Sequence, residues 1–162
     1  MQLTLRIPLP VLESATRDLK RPHDFAFERI GFLRCRPTAR SDLVVVTGYD
    51  GVADDHYVCD SAAGACIGSQ GIQAAMQRIL SDQVGQIHIH LHEHRGPTGP
   101  SSTDWRDQPR LIASFRNLAS SLPHGIIILS LTHVWGAFAI PGMTRLVKLS
   151  KVTVVGENID FL

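Results

Sequence analysis

The chain of 162 residues carries a formal net charge of +1, and 44% of its residues are hydrophobic. This length suits a single domain over residues 1–162, and the near-neutral charge argues against a nucleic-acid or polyanion partner. No apolar run is long enough to span a membrane, and the N-terminal residues lack the pattern of a signal peptide, so we predict a cytoplasmic protein.

Hydrophobic periodicity predicts an alternation of strands and helices along the chain. We expect strands over 3–10, 24–36, 41–51, 55–60, 84–92, 125–131, 134–140 and 144–156. We expect helices over 11–20, 69–82 and 103–122, with Pro109 either kinking the last helix or marking a later start. This order predicts an α/β or α+β fold in which helices flank a central mixed sheet.

Four of the eight histidines fall at alternate positions of one predicted strand, as His88, His90, His92 and His94. Side chains two residues apart share one face of a strand, so neighbouring imidazoles in this run can reach one ion. Asp104 falls in the first turn of the helix that follows the next loop. Two imidazoles and a carboxylate form the three-ligand set of a catalytic zinc ion, whose fourth position stays open.

Two simpler interpretations apply to the same residues. The histidines could line the solvent face of an edge strand. The segment from Ser101 to Asp104 fits a capping box, in which a serine at the helix N-cap and an acid three residues later satisfy backbone donors reciprocally. A capping box is compatible with metal binding, because it would hold Asp104 in place.

Glu28 is the candidate general base. It is the one acid in FAFERIGFLRCR, and its neighbours on the same face of the predicted strand, Ala26 and Ile30, are apolar. Such surroundings disfavour the charged form of a carboxylate. The simpler interpretation is an exposed acid, or one paired with Arg29 or Arg34.

A glutamate on an early strand, then H-x-H near the end of a later strand, then S-x-x-D at the start of a helix resembles the JAMM (MPN+/JAB) zinc metalloproteases, above all their short prokaryotic JAB branch. In this chain the glutamate is Glu28, and the most specific part of the resemblance covers residues 90–104. The resemblance implies a JAB/MPN-like, cytidine-deaminase-like fold.

The chain departs from the family in the spacing of the motif, which has seven residues between the second histidine and the serine. Eight residues separate His92 from Ser101, and six separate His94 from Ser101. The ligand pair is therefore either His90 with His92, which we favour, or His92 with His94. In the favoured register, His94 and His88 would face the substrate or support the ligands.

The resemblance implies a zinc-dependent isopeptidase or peptidase. His90, His92 and Asp104 would bind Zn²⁺, Glu28 would act as general base, and Ser101 would donate a hydrogen bond to the oxyanion. The implied substrate is the C-terminus of a ubiquitin-like or sulfur-carrier protein. The implied partners are E1-like and E2-like proteins, in a bacterial pathway such as antiphage defence.

Two alternatives from other functional classes stay open. One is a non-catalytic scaffold of the MPN type, which would bind partners without hydrolysis. The other is a histidine-rich metal-binding protein, which would hold several ions along the histidine run and would not need Glu28.

Overall fold

The computed structural model describes residues 2–22, 26–60 and 64–156. Over these residues the strands are β1 Leu3–Pro8, β2 Ile30–Pro37, β3 Leu43–Gly51, β4 Gly85–Leu91, β5 His124–Leu129, β6 Val134–Ala139 and β7 Val147–Val155. The helices are α1 Leu9–Leu19, α2 Ser69–Asp82 and α3 Ser102–Leu118, with a short 3-10 helix at Asp54–His56.

The seven strands form a closed barrel in the order β1-β3-β2-β4-β5-β6-β7, and β7 returns to β1. The predicted fold, a central mixed sheet flanked by helices in the JAB/MPN manner, is therefore wrong. The barrel closes through the N-terminal strand, since β1 pairs in parallel with both β3 and β7. A sheet closed in this way has no free edge at its first strand.

The apolar side chains that β1 contributes to the barrel interior explain why this strand closes the barrel. Leu3, Leu5 and Ile7 alternate with more exposed residues along β1 and are buried in the largest core cluster. Ala15 and Leu19 of α1 join the same cluster, and α1 contacts β1, β2, β3, β4 and β7. Burial of these apolar side chains favours closure of the ring over an open sheet.

The strand β4 separates this interior from a second packed layer. Ile87, Ile89 and Leu91 point into the barrel. His88 and His90 lie on the opposite face and are also buried, on the side that α2 and α3 cover. The predicted division of β4 into an isoleucine face and a histidine face is confirmed for these residues.

Two local predictions differ from the structure. The strand predicted over 24–36 begins at Ile30; residues 24 and 25 lie outside the described residues, and Glu28 precedes the strand. The strand predicted over 55–60 is wrong, because the 3-10 helix is followed only by an isolated bridge between Tyr57 and Ile67. The helix predicted over 103–122 is confirmed as Ser102–Leu118, and because it contains Pro109, the alternative of a later start is wrong.

Within the described residues, no helix has both the length and the apolar character needed to cross a membrane. The three cysteines are free thiols; Cys35 is buried, Cys59 is exposed and Cys66 is half-buried.

Candidate metal centre

The carboxyl end of β4 brings two imidazoles together. His90 is held in the middle of the sheet, paired with Ile30 of β2 and Ile128 of β5. The chain leaves the strand after Leu91, and the backbone N–H of His92 donates to the carbonyl of Leu129. The Nε2 atoms of His90 and His92 consequently lie 3.1 Å apart.

Glu28 reaches the same point from the segment before β2. The backbone N–H groups of Phe27 and Glu28 both donate to the carbonyl of Gly64. This fixes the segment so that Oε1 of Glu28 lies 3.7 Å from Nε2 of His92. One ligand atom from each of Glu28, His90 and His92 lies within 4.8 Å of the others, so this group could hold a metal ion.

The arginines near Glu28 have other acidic partners. Arg29 is almost fully buried and pairs with Asp54. Arg34 pairs with Asp50 at 3.1 Å. Arg29 therefore anchors the Glu28 segment to the 3-10 helix. Because Arg29 directly follows Glu28 in the chain, this ion pair also helps to hold Glu28 in place.

Asp104 approaches from the start of α3, where the predicted capping box is confirmed. Its Oδ2 accepts hydrogen bonds from the backbone N–H of Ser101 at 2.8 Å and from the Ser101 hydroxyl at 2.7 Å. Its Oδ1 lies 3.6 Å from Nε2 of His90. The cap thus occupies one carboxylate oxygen and directs the other towards the histidines.

The distances between these atoms fit a tetrahedral ion. Zinc bound at about 2.1 Å by four ligands places neighbouring ligand atoms about 3.4 Å apart. The separations here are 3.1 Å between the two histidines, 3.6 Å from His90 to Asp104 and 3.7 Å from His92 to Glu28. His92 and Asp104 also approach to 4.0 Å. Glu28 therefore shares one cluster of ligand atoms with both imidazoles, whereas Asp104 approaches His90 through Oδ1 and His92 through Oδ2.

The surroundings of the two imidazoles differ. Nδ1 of His92 is 3.2 Å from the hydroxyl of Thr98, a contact of the kind that orients metal-binding histidines. Nδ1 of His90 is buried and has no hydrogen-bond partner among the described residues. Burial, reinforced by His90, lowers the pKa of His92. This favours the neutral imidazole, which is the form that binds metals.

The pKa values of the two carboxylates are shifted in opposite directions. Burial raises the pKa of Glu28, and the nearby Asp104 adds to the increase, while His90 opposes it. Burial also acts to raise the pKa of Asp104, but the interactions with His90 and Ser101 outweigh it, and the net pKa is well below the usual range. Asp104 is therefore a persistent anion, whereas Glu28 takes up a proton at a higher pH than an ordinary glutamate.

The other two histidines of the run do not join this cluster. His88 is packed edge-on against Phe32 with ring centroids 5.8 Å apart, and burial lowers its pKa to about 3. His94 lies on the exposed surface, with Nδ1 3.1 Å from the carbonyl of Arg95. The geometry therefore favours the pair His90 and His92 over the pair His92 and His94.

A cleft of about 500 Å³ opens beside the centre, between α2 and the first half of α3. Glu28, His90 and Asp104 form part of its wall. Cys66, Ile67, Ile72 and Leu111 contribute apolar surface. The candidate metal-binding atoms therefore border an open cleft.

Sequence reasoning did not identify Gly64, Thr98 or Arg29 as parts of this centre. Their contributions depend on contacts made across the fold, and no local pattern signals them. A Cβ at Gly64 would lie 3.0 Å from Cδ and Oε2 of Glu28, so a larger residue there would shift the Glu28 carboxylate by a few tenths of an ångström.

No known protein family has a model that matches this chain, and no curated protein matches it either.

Proposed function

We propose that this protein is a zinc-dependent hydrolase of amide bonds. The observation that carries the proposal is the convergence of two carboxylates, Glu28 and Asp104, on one pair of imidazole nitrogens at the wall of an open cleft. A structural metal site would be closed to solvent, whereas a hydrolytic site needs an open position and a base beside it. The open cleft and the second carboxylate beside the imidazole pair support the proposal.

His90, His92 and Asp104 are assigned as the metal ligands. Two neutral imidazole nitrogens and one carboxylate oxygen are a donor set typical of zinc. Asp104 suits the role of ligand because Ser101 fixes its orientation and its pKa is low. When bound, the ion supplies Lewis-acid chemistry, since it acidifies water and polarises a carbonyl.

Glu28 is assigned as the general base. Its carboxylate accepts a proton from the attacking water as the new carbon–oxygen bond forms. It then delivers that proton to the amide nitrogen as the carbon–nitrogen bond breaks, so the products are a carboxylic acid and an amine. The raised pKa of Glu28 suits both steps.

Ser101 has a positioning role in this proposal. Its hydroxyl donates to Oδ2 of Asp104 and accepts from the backbone N–H of Asp104. The alternative role, donation to the oxyanion of the substrate, requires the hydroxyl to rotate away from Asp104. Ser101 lines the cleft, so such a rotation would direct its proton towards a bound substrate.

The proposed substrate is an amide or isopeptide bond at the C-terminal tail of a ubiquitin-like or sulfur-carrier protein, made by E1-like and E2-like partners. The motif resemblance described above supports this class. The open cleft also supports it, because an exposed chain end can enter a site that a folded surface cannot.

The test compares metal content and turnover in five proteins: wild type, Glu28→Gln, Asp104→Asn, His90→Ala and His94→Ala. Elemental analysis should give about one zinc in wild type, Glu28→Gln and His94→Ala. It should give little zinc in Asp104→Asn and His90→Ala. Cleavage of fluorogenic amides of Gly-Gly peptides should fall about 100-fold or more in Glu28→Gln.

Matched controls isolate each role. Glu93→Gln removes an exposed acid next to the histidines and should leave both measurements unchanged, as should His94→Ala. If Glu28→Gln loses zinc and Asp104→Asn retains it, Glu28 is the metal ligand and Asp104 is the base. No zinc in any protein after reconstitution would refute the hydrolase and leave a non-catalytic scaffold.

The alternative function, a histidine-rich metal carrier, is disfavoured because His88, His90, His92 and His94 lie in four different environments. His88 is enclosed by aromatic packing, and His94 contacts a backbone carbonyl. A carrier would require several ions per chain, so the zinc count also tests this alternative.

A further inference from the structure

The first half of α3 separates two clefts. Thr103, Asp107 and Leu111 face the cleft beside the metal centre, whereas Trp105 and Pro109 face a second cleft of about 400 Å³. Asp104 and Gln108, one helical turn apart, line both clefts. The second cleft therefore lies on the other side of this helical turn from the proposed catalytic site and shares Asp104 and Gln108 with it as wall residues.

The walls of the second cleft are aromatic and aliphatic. Trp105 and Trp135 meet edge to face with ring centroids 6.1 Å apart, and Ile112, Ile126 and Leu146 complete the apolar surface. Trp105 is 64% exposed. An exposed tryptophan beside an apolar cleft is unfavourable in water and typical of a surface that binds another molecule.

The sheet register places this cleft at a defined distance from the metal centre. His90 pairs with Ile128 of β5, and Ile128 pairs with Trp135 of β6. Two strand spacings of about 4.8 Å separate the backbones of His90 and Trp135 by about 10 Å. An extended peptide rises about 3.3 Å per residue, so one that passes around the first turn of α3 needs at least about three residues to join the two clefts.

One cation lies at the border of this cleft. Lys148 pairs with Ala137 in the barrel, shares a face of the sheet with Trp135 and is exposed. Across residues 2–22, 26–60 and 64–156, no acidic side chain forms an ion pair with it. A carboxylate of a bound molecule would find complementary charge there.

We propose that the second cleft is a specificity site that binds an apolar side chain of the substrate, at least about three residues from the cleaved bond, with an adjacent acidic residue directed to Lys148. The inference rests on the proposed hydrolase function, because the shared wall at Asp104 links the two sites. The occupant is an extended segment of the substrate protein with an apolar residue followed by an acid.

Binding is measured independently of cleavage, in Glu28→Gln. Trp105 and Trp135 are the two tryptophans of the chain, so intrinsic fluorescence reports on this cleft directly. The probes are acetyl-Leu-Asp-Gly-Gly-Gly-Gly-amide and acetyl-Gly-Gly-Gly-Gly-Leu-Asp-amide, which place the apolar residue on either side of the central glycines. Matched peptides carry Ser in place of Leu, or Asn in place of Asp.

We expect saturable fluorescence changes with one of the two Leu-Asp peptides and at least tenfold weaker binding of its Ser counterpart. Lys148→Gln should weaken the binding of the Leu-Asp peptide two- to fivefold and leave the binding of the Leu-Asn peptide unchanged. Lys151→Gln, an exposed lysine of the same strand that lies outside the cleft, is the control. In Trp105→Ala, the fluorescence of Trp135 should show weakened binding of the same peptide.

Equal binding of the Leu and Ser peptides, or no fluorescence change at millimolar concentration, would overturn the specificity site. Turnover by wild type is measured separately with Gly-Gly amides that lack the apolar residue. Binding without turnover in any peptide would retain the cleft and refute the hydrolase. Turnover that does not depend on the apolar residue would retain the hydrolase and refute the cleft.

Discussion

The side chain of Glu28 depends on the absence of a side chain at Gly64. A methyl group at Gly64 would approach the Glu28 carboxyl group to 3.0 Å, closer than most carbon contacts. Glu28 therefore has to move by some tenths of an ångström if Gly64 is replaced. Displacements of about 1 Å can cost about 100-fold in rate, so a smaller shift should also be measurable.

We expect Gly64→Ala to lower the turnover of amide substrates about tenfold while zinc content and melting temperature stay near wild type. Gly71→Ala is the matched control, because the added methyl group there would make only ordinary contacts, the nearest at 3.5 Å from His56. Equal turnover in Gly64→Ala and wild type would show that the Glu28 position tolerates this contact.

His124 links stability to pH. Its Nδ1 accepts from the backbone N–H of Gln86, so the ring proton resides on Nε2 and donates to the carbonyl of Ala119. Burial lowers the pKa of His124, and the Ala119 contact opposes this in part. Protonation would place a second N–H against that of Gln86, which the fold cannot satisfy.

The folded protein should therefore lose stability as the pH falls below about 6.5, where His124 of the unfolded chain gains a proton and the folded chain does not. The loss is at most about 1.4 kcal/mol per pH unit for one histidine. His124→Asn, measured by urea unfolding between pH 8 and pH 5, should flatten this slope. His133→Asn, which removes an exposed histidine, should leave it unchanged.

At the scale of elements, the metal centre lies where β4 ends and α3 begins. The capping box of α3 serves both the helix and the centre, since Ser101 satisfies a helix donor and holds Asp104. This dual role predicts two separable consequences of one substitution.

Ser101→Ala should lower the free energy of unfolding by about 1 kcal/mol through loss of the cap. It should also weaken zinc binding about 10- to 100-fold, because a freed carboxylate is a poorer ligand. Chemical denaturation and competition with a zinc chelator measure the two effects. Ser102→Ala, in the first turn but without a capping role, is the control; unchanged zinc affinity in Ser101→Ala would separate the cap from the centre.

The sequence predicted which residues form the candidate centre better than it predicted how these residues are arranged in space. Alternation predicted the two faces of β4, and the spacing of serine and acid predicted the capping box at Ser101. The sequence left the histidine register open, because His92 and His94 follow the end of β4 and their directions depend on contacts with Thr98 and with the backbone. Glu28 was identified on a predicted strand, although it precedes β2.

At the scale of the whole molecule, periodicity could not predict that the sheet closes. Alternating apolar residues identify β1 as a strand with one buried face, but they do not specify which strands lie at its two edges. That choice depends on parallel pairing across almost the full length of the chain, with β7 as one neighbour. An open sheet and a closed barrel therefore share the same local pattern, and the prediction of a central mixed sheet flanked by helices was wrong.

Closure of the barrel should slow the hydrogen exchange of the backbone amides in β1. A terminal strand at a free edge exchanges its amide hydrogens by fraying, whereas β1 is paired on both sides with β3 and β7. We expect the amides of Leu5 and Arg6, which pair with both neighbours, to exchange only through global unfolding, with the same free energy as the slowest amides of β4. Hydrogen exchange followed by NMR tests this, and the exposed segment 143–146 is the internal reference for fast exchange.

The two ends of the segment between His92 and Ser101 are fixed by different parts of the fold. The backbone of His92 is bound to Leu129 at the end of β5, and Ser101 is fixed by the cap that opens α3. Neither anchor depends on the number of residues between them. A change in the length of this loop would therefore keep both backbone anchors but displace Thr98, and with it the contact to Nδ1 of His92.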